Sequence, residues 1–146
     1  MALVAETASP AAADPAVVWD LLTDLRTWSR WWPDCLSAEN LDRHALREGS
    51  RIELVVRPAR TKLDLHPVVD LLIQGRTLSI THRNAWLQGT IAWTIDPHPT
   101  GVRIGGRGVF RGLMTLGNPW LHHESAWQTS LARAVRGLKR ASELSS

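Results

Sequence analysis

The stretch that decides the fold is ADPAVVWDLLTDLRTWSRWWP, residues 13–33. Asp14 is a good N-cap acceptor, and Pro15 stands at the first helical position, where its missing N–H costs nothing. Apolar residues then recur at helical spacing: Val18, Trp19 and Leu22. The pattern predicts a helix over Pro15–Asp24 and a second short helix over Arg26–Trp32, which Pro33 ends.

Outside this stretch, apolar and polar residues mostly alternate, as they do in strands with one buried face. We predict a first strand over Ala2–Ala8 and further strands over residues 34–41, 52–56, 63–73, 78–82, 86–95 and 102–111. The segment Asp96–Gly101 carries two prolines and a glycine and predicts a turn. In the last strand one face carries Arg103, Arg107 and Arg111 and should be wet, whereas the other carries Val102, Ile104, Gly106, Gly108 and Phe110.

From Trp120 to about Leu144 the period becomes helical. One apolar stripe contains Trp120, Trp127, Leu131, Ala134, Val135 and Leu138. An antiparallel sheet must bury one face, and this helix is the only predicted element long enough to cover it. The order of elements therefore predicts an α+β protein in which a long C-terminal helix packs on a meandering sheet.

The opening ADPAxVWDLLTD at residues 13–24, and Trp28 with Trp32–Pro33 after it, resemble the start of the SRPBCC superfamily (START/Bet v1-like, polyketide cyclase/dehydrase-like). Gly101–Arg103 leading into Gly108–Gly112 is similar to that family's final strand, and the segment from Leu131 to Lys139 is similar to its C-terminal helix. The resemblance implies a helix-grip fold, with a curved antiparallel sheet of about seven strands, two short helices after strand 1 and a long C-terminal helix. It also implies a deep cavity for an apolar ligand.

Length and composition favour one globular domain over residues 1–146. The chain is 44% hydrophobic and 21% charged, which is typical of soluble proteins, and no apolar run is long enough to span a membrane. Its net charge of +3 is too small to predict nucleic-acid binding. One cysteine excludes an internal disulfide, and the first residues do not read as a secretory signal, so we expect a cytoplasmic protein.

The aromatic composition suggests what the cavity would hold. Tryptophan occurs eight times, phenylalanine once and tyrosine never, and flat indoles suit the wall of a site for a planar molecule. The alternative is that they fill the core. Gly106 and Gly108, two missing side chains on an inward face, should leave space that either a ligand or Trp127 occupies. The predicted ligand-binding residues are Trp28, Trp31, Cys35, Trp93, Gly106, Gly108, Phe110, Trp127 and Leu131.

Two residues are candidates for proton transfer. His82 continues the inward parity of Leu78 and Ile80, so its imidazole could act as a general base or donate a hydrogen bond to a carbonyl. The alternative is a satisfied or rim-exposed histidine. Glu124 lies between Trp120 and Trp127 on the apolar stripe and could serve as an acid. The alternative is that its charge only favours the helix dipole.

Other polar groups predict no further chemistry. His122 and His123 are adjacent on a helix and point about 100° apart, so they do not converge on one ion, and we predict no metal and no cofactor. A lone cysteine such as Cys35 is usually a small buried apolar group, although a reactive thiol is the alternative. Asp64, His66 and Asp70 share the parity opposite the leucines and should face water.

Three function classes remain open. The first is a protein that binds one small hydrophobic molecule, as lipid carriers in the superfamily do, in an internal cavity between sheet and C-terminal helix. The second is a polyketide-type cyclase or dehydratase, although the buried arginine typical of aromatase/cyclases is missing from residues 67–71. The third is an interaction module with a collapsed cavity. An acidic carrier protein could dock on the Arg/Lys face of the last helix if that face is not simply solvated, and the chain could be a monomer or dimer.

Overall fold

The computed structural model describes residues 3–58, 62–85, 87–112 and 123–146, and the side chains of residues 123–125 lie outside the described part. The elements in chain order are β1 (Leu3–Ala11), α1 (Pro15–Thr23), a 3₁₀ turn (Leu25–Thr27), α2 (Trp28–Trp31), β2 (Cys35–Asn40), β3 (Ile52–Val56), β4 (Leu63–Leu65), β5 (Val68–Ile73), β6 (Thr77–Arg83), β7 (Gln88–His98), β8 (Gly101–Arg111) and α3 (His123–Ser145). The α+β helix-grip prediction is confirmed.

All strand pairs are antiparallel, and the strands form two groups. Their orders are β1-β8-β7-β6-β5 and β2-β3-β4. The groups join because β4 and β5 are two halves of one strand opposite β3. The pairs along β3 follow one another without a shift in register: Leu54 with Leu65, Ile52 with Pro67 and Arg51 with Val68. In the second of these pairs Ile52 N–H donates to Pro67 O at 2.9 Å. The result is one curved sheet of seven strands, counted over the described residues.

The first helix forms as the capping signals predict. The Asp14 side chain accepts a hydrogen bond from Ala16 N–H at 2.9 Å, and Pro15 opens the helix. The second predicted helix is shorter than expected. Asp24 caps a 3₁₀ turn at Leu25–Thr27, and only Trp28–Trp31 is α-helical. This turn brings the indoles of the segment onto the core.

Three strand predictions needed correction. β1 runs on to Ala11 because it pairs with β8 over that whole length. β7 does not turn at Asp96 but pairs with β8 as far as His98. The alternation of residues 63–73 holds only through Val69, because a β-bulge between Val69 and Leu71 shifts the register. Leu71 and Ile73, expected inside, are therefore 40% and 49% exposed.

Helix α3 covers the concave side of the sheet and also closes its β1 edge. Its buried stripe contains Trp127, Leu131, Ala134, Val135 and Leu138. Gln128 accepts a hydrogen bond from Glu6 N–H at 2.8 Å and donates one to Glu6 O at 2.7 Å, so a side chain pairs with the backbone of the edge strand. Among the described helices, none is long and apolar enough to cross a membrane.

Candidate functional site

Four indoles form a cluster where α2 meets the sheet: Trp28, Trp31, Trp32 and Trp93, called here the tryptophan cluster. All four are at most 2% exposed. Their ring centroids lie 5.5–6.5 Å apart, and Trp93 meets the other three edge-on. Trp28, Trp31 and Trp93 were predicted as ligand walls. The structure brings them together as a packed cluster that adds Trp32.

Three of these indoles have hydrogen-bond partners. Trp28 Nε1–H donates to Leu22 O at 2.8 Å, and Trp31 Nε1–H donates to Thr27 Oγ1 at 3.1 Å. Trp32 Nε1–H donates to the fully buried Ser130 Oγ of α3 at 2.9 Å. Trp93 Nε1 is buried and has no hydrogen-bond partner among the described residues. A buried donor without a partner lowers the stability of the folded protein by about 1–3 kcal/mol. A bound molecule that brought a hydrogen-bond acceptor to Trp93 Nε1 would recover this free energy.

A second aromatic contact lies between the sheet and α3. The rings of Phe110 and Trp127 stack with centroids 4.1 Å apart and an interplanar angle of 19°. We call this pair the aromatic plug. Both residues are at most 2% exposed. The plug therefore occupies the middle of the interior.

The glycine prediction was wrong on one point. Gly106 and Gly108 do face inward, but the space beside them is filled. A Cβ on Gly108 would lie 2.7 Å from the Phe110 ring and 3.1 Å from Leu131, and one on Gly106 would lie 3.2 Å from both Trp93 and Val135. The glycines thus make room for the protein's own large side chains.

A small void of about 10 Å³ remains beside the plug. Nine residues line it: Leu54, Leu65, Pro67, Ile80, His82, Leu87, Gly89, Ile91 and Phe110. His82 is its only titratable lining residue, and every other lining side chain is apolar. Of these residues, Phe110 was predicted to bind ligand, and Ile80 and His82 were predicted from their parity to face inward. Gly89 was missed because its position under the Phe110 ring follows only from the β7–β8 register.

His82 is buried, and each of its ring nitrogens lies close to a polar group. Nδ1 accepts a hydrogen bond from His66 N–H at 2.9 Å, and Nε2 lies 2.9 Å from Nδ2 of Asn84. A main-chain N–H can only donate, so Nδ1 carries no proton and the neutral ring carries it on Nε2. Asn84 Nδ2 also only donates and does not accept the Nε2 proton, so this proton can be offered to another acceptor, whereas a general-base role at Nδ1 would have to displace His66 N–H.

The environment of His82 predicts how stability depends on pH. Burial lowers the pKa of His82 below its ordinary value of 6.5, and a protonated His66 nearby acts in the same direction. The unfolded chain therefore takes up this proton at higher pH than the folded one. The contribution of His82 to the free energy of unfolding is therefore complete above about pH 7 and is lost as the pH falls through 6.5 and below. The free energy of unfolding decreases by at most about 1.4 kcal/mol per pH unit from this group.

We expect His82→Asn, which keeps an acceptor at the Nδ1 position, to remove this part of the pH dependence. The measurement is the free energy of unfolding by urea at pH 7.5 and 5.5 for the wild type, His82→Asn and the control His44→Asn at an exposed loop position. An equal loss of stability in all three would contradict the assignment to His82.

Cys35 is buried at the start of β2. Burial raises the pKa of its thiol to about 12, so the thiol is protonated at neutral pH and is not the reactive group considered as an alternative. Its side chain packs with the hydrophobic core.

Some predicted groups cannot be placed. The backbone of Glu124 belongs to α3, but its side chain lies outside the described residues, as do Trp86, Trp120 and His122. The expected roles of Glu124 and the geometry of the His122–His123 pair therefore stay predictions.

Outside the core, polar groups behave mostly as predicted. Arg103, Arg107 and Arg111 are exposed on the outer face of β8. One group of side chains among the described residues could supply three ligand atoms to a metal ion. The carboxylate oxygens of Glu53 and Asp64 and an imidazole nitrogen of His66 lie within 4.8 Å of one another on the outer face of β3 and β4. This cluster is open to water and faces away from the void.

On the basic side of α3, Arg133 contacts Asp34 at 3.2 Å and Lys139 contacts Glu143 at 3.8 Å.

A groove of about 980 Å³ lies on the outside, between α1 and β2. We call it the outer groove, and sequence reasoning missed it. Its lining includes the carboxylates of Asp20, Asp24 and Glu39 beside Leu46 and Leu72. It is larger than the interior void, but an apolar molecule would lie there against charged groups. The interior void, although small, is lined mainly by apolar residues.

Comparison with known proteins gives the family and the fold. The model of a family described as polyketide cyclase / dehydrase and lipid transport matches residues 1–143. No curated protein shows significant sequence similarity to the chain.

Three solved structures show the same fold. A START superfamily protein from Mycobacterium smegmatis has a TM-score of 0.80 at 11% identity, covering 98% of this chain and 99% of its own. The di-domain ARO/CYC protein StfQ of the steffimycin biosynthetic pathway has a TM-score of 0.76 at 14% identity, covering 99% of this chain and 52% of its own. Ara h 8.0201 has a TM-score of 0.70 at 14% identity, with both chains fully covered. At these identities the likeness shows the fold alone.

Proposed function

The chain belongs to the family described as polyketide cyclase / dehydrase and lipid transport, and we propose that it binds one small hydrophobic, aromatic or polycyclic molecule between the sheet and α3. The observation that carries the proposal is the lining of the interior void. Eight of its nine lining residues are apolar, and the ninth, His82, presents one polar edge. Ligand sites commonly combine an apolar wall with a few fixed polar groups.

Binding requires the interior to open. Small-molecule pockets measure roughly 300–1,000 Å³, whereas the void measures about 10 Å³. The aromatic plug is the side-chain mass that a ligand would replace, because Phe110 borders the void and Trp127 stacks on it. A planar aromatic ligand can take over the stacking contact that one of these rings gives up.

Each predicted site residue then has a role in the proposal. Trp28, Trp31 and Trp93 form the aromatic wall at the α2 end, while Leu131 and the bare backbone of Gly106 and Gly108 form the floor and roof beside the plug. Cys35 contributes a small apolar surface. His82 Nε2–H and Trp93 Nε1–H are the donors for a ligand oxygen, so we expect an apolar ligand that carries at least one carbonyl or hydroxyl group.

The second candidate function is a polyketide-type cyclase or dehydratase, which the family description favours. Here His82 would protonate or hydrogen-bond a carbonyl through Nε2, and Glu124 would be its carboxyl partner. Mass spectrometry would detect turnover of a synthetic poly-β-ketone thioester as loss of water or ring closure. Turnover unchanged in a His82→Gln, Glu124→Gln double variant would exclude those two roles.

The binding proposal is tested by intrinsic tryptophan fluorescence and calorimetry. We expect 1-aminoanthracene and neutral planar ketones to quench the emission saturably, with a dissociation constant in the micromolar range, and to compete with one another. A control variant, Gln74→Trp, fills the outer groove and should bind equally well, because Gln74 is exposed and remote from the void. If none of these compounds quenches the emission saturably, the binding proposal is wrong, and the third function class, an interaction module with a collapsed cavity, is favoured.

A further inference from the structure

The curved sheet has a break in its hydrogen bonding beside the void. On one side, β4 and β5 continue as one strand along β3. On the other side, β6 pairs with β5 but not with β4, and this pairing stops at Val68 opposite Thr81. Among the described strands β4 pairs with β3 alone. We call the wedge between β4 and the end of β6 the seam.

One side-chain bond crosses the seam. Pro67 O accepts from Ile52 N–H and therefore faces β3, so the main chain of His66, one residue earlier, faces β6. In a continuous sheet, His66 N–H would donate to a main-chain carbonyl of β6. Instead it donates to Nδ1 of His82 at 2.9 Å. The imidazole thus replaces a missing hydrogen bond of the ladder.

The interior void lies directly behind this bond. Leu54, Leu65 and Pro67 line it from the β3–β4 side of the seam, whereas Ile80, His82, Gly89 and Ile91 line it from the β6–β7 side. At the outer rim, His66 and Asp64 are exposed. A molecule that passes between β4 and β6 would move from water into the void without breaking any main-chain pair of the sheet.

We infer that the seam is the route by which ligand reaches the interior, and that the His66 N–H···Nδ1 His82 bond is its latch. This inference rests on the proposed binding function. Two other boundaries of the interior are hydrogen-bonded among the described residues: between β1 and α3, Gln128 holds both backbone groups of Glu6, and within the five-stranded group neighbouring strands are paired. His82 is in this respect a positioning residue that sets how fast the interior opens.

The test compares two amides at position 82. Asparagine places its Oδ1 near the position of Nδ1 and keeps the latch, whereas glutamine reaches the Nε2 position and loses it. We expect His82→Gln to lower the protection of the His66 amide against hydrogen exchange at least tenfold and to raise the association rate of 1-aminoanthracene at least fivefold. In His82→Asn the protection of the His66 amide should stay within twofold of wild type, and in the remote control His98→Ala both quantities should do so.

The readouts separate the possible failures. Faster exchange at His66 without faster association would place the route elsewhere and overturn the inference, while binding itself would stand. Unchanged exchange in His82→Gln would show that the bond is not a latch. Absence of saturable 1-aminoanthracene binding in the wild type would overturn the proposed function and, with it, the route. Thermal unfolding of each variant verifies that it is folded.

Discussion

Replacing Gly137 by alanine is expected to destabilise the protein by about 3 kcal/mol or more. Gly137 lies in α3 where the helix crosses the end of α2. A Cβ at this position would collide with the Trp31 carbonyl, lying only 2.7 Å from its carbon and 3.2 Å from the Trp31 Cα. The obstacle is backbone, so no rotamer change relieves it, and the two helices must separate.

The sign of the effect makes this prediction informative. In a helix interior, glycine to alanine normally stabilises by about 1 kcal/mol, because alanine restricts the unfolded chain. Urea unfolding of Gly137→Ala and of the exposed neighbour Arg136→Ala would measure the difference. We expect the control to change by less than about 0.5 kcal/mol. A stabilised Gly137→Ala variant would contradict the close helix contact on which the tryptophan cluster rests.

Replacing Trp127 by alanine is expected to lower stability by about 3–5 kcal/mol and to tighten binding of 1-aminoanthracene at least tenfold. The indole is 2% exposed and stacks on Phe110, so its removal leaves a cavity in the middle of the interior. The plug no longer competes with the ligand, and affinity rises because less of the binding energy goes into opening the site.

The matched control is Trp19→Ala, which removes a buried indole from α1 beside the outer groove. It should lose stability by a comparable amount without any gain in affinity. Trp127→Leu, which keeps the helix face apolar, should show both effects in reduced form. Stability loss without tighter binding in both Trp127 variants would mean that the plug is ordinary core packing and not the occupant of a ligand site.

Local signals in the sequence predict much of the fold. Asp14 and Pro15 specify where α1 starts, because capping and the fixed φ of proline act within one turn. The alternation in β8 identifies its buried face because residues 102–110 pair on both sides with no bulge. The apolar stripe of α3 is likewise predicted from the spacing of residues that are close together in the sequence. These features do not depend on contacts between distant residues.

The remaining features depend on register and on non-local packing. The bulge after Val69 turns Leu71 outward, and the alternation of apolar and polar residues over 63–73 does not predict it. The seam lies where the pairing of β5 with β6 ends, and the bond that spans it joins a main-chain N–H to a side chain 16 residues away. Sequence parity placed His82 inside, but it could not show that Nδ1 is already occupied. Likewise, Gly106 and Gly108 were correctly oriented, whereas the side chains that fill the space beside them come from β7, α3 and Phe110.

Methyl NMR of isotope-labelled protein titrated with 1-aminoanthracene measures whether ligand binds between the sheet and α3. We expect saturable shift changes and intermolecular NOEs at the methyls of Leu54, Leu65, Ile80 and Ile91, which line the void. Changes confined to Leu25, Leu46 and Leu72, which line the outer groove, would contradict this expectation.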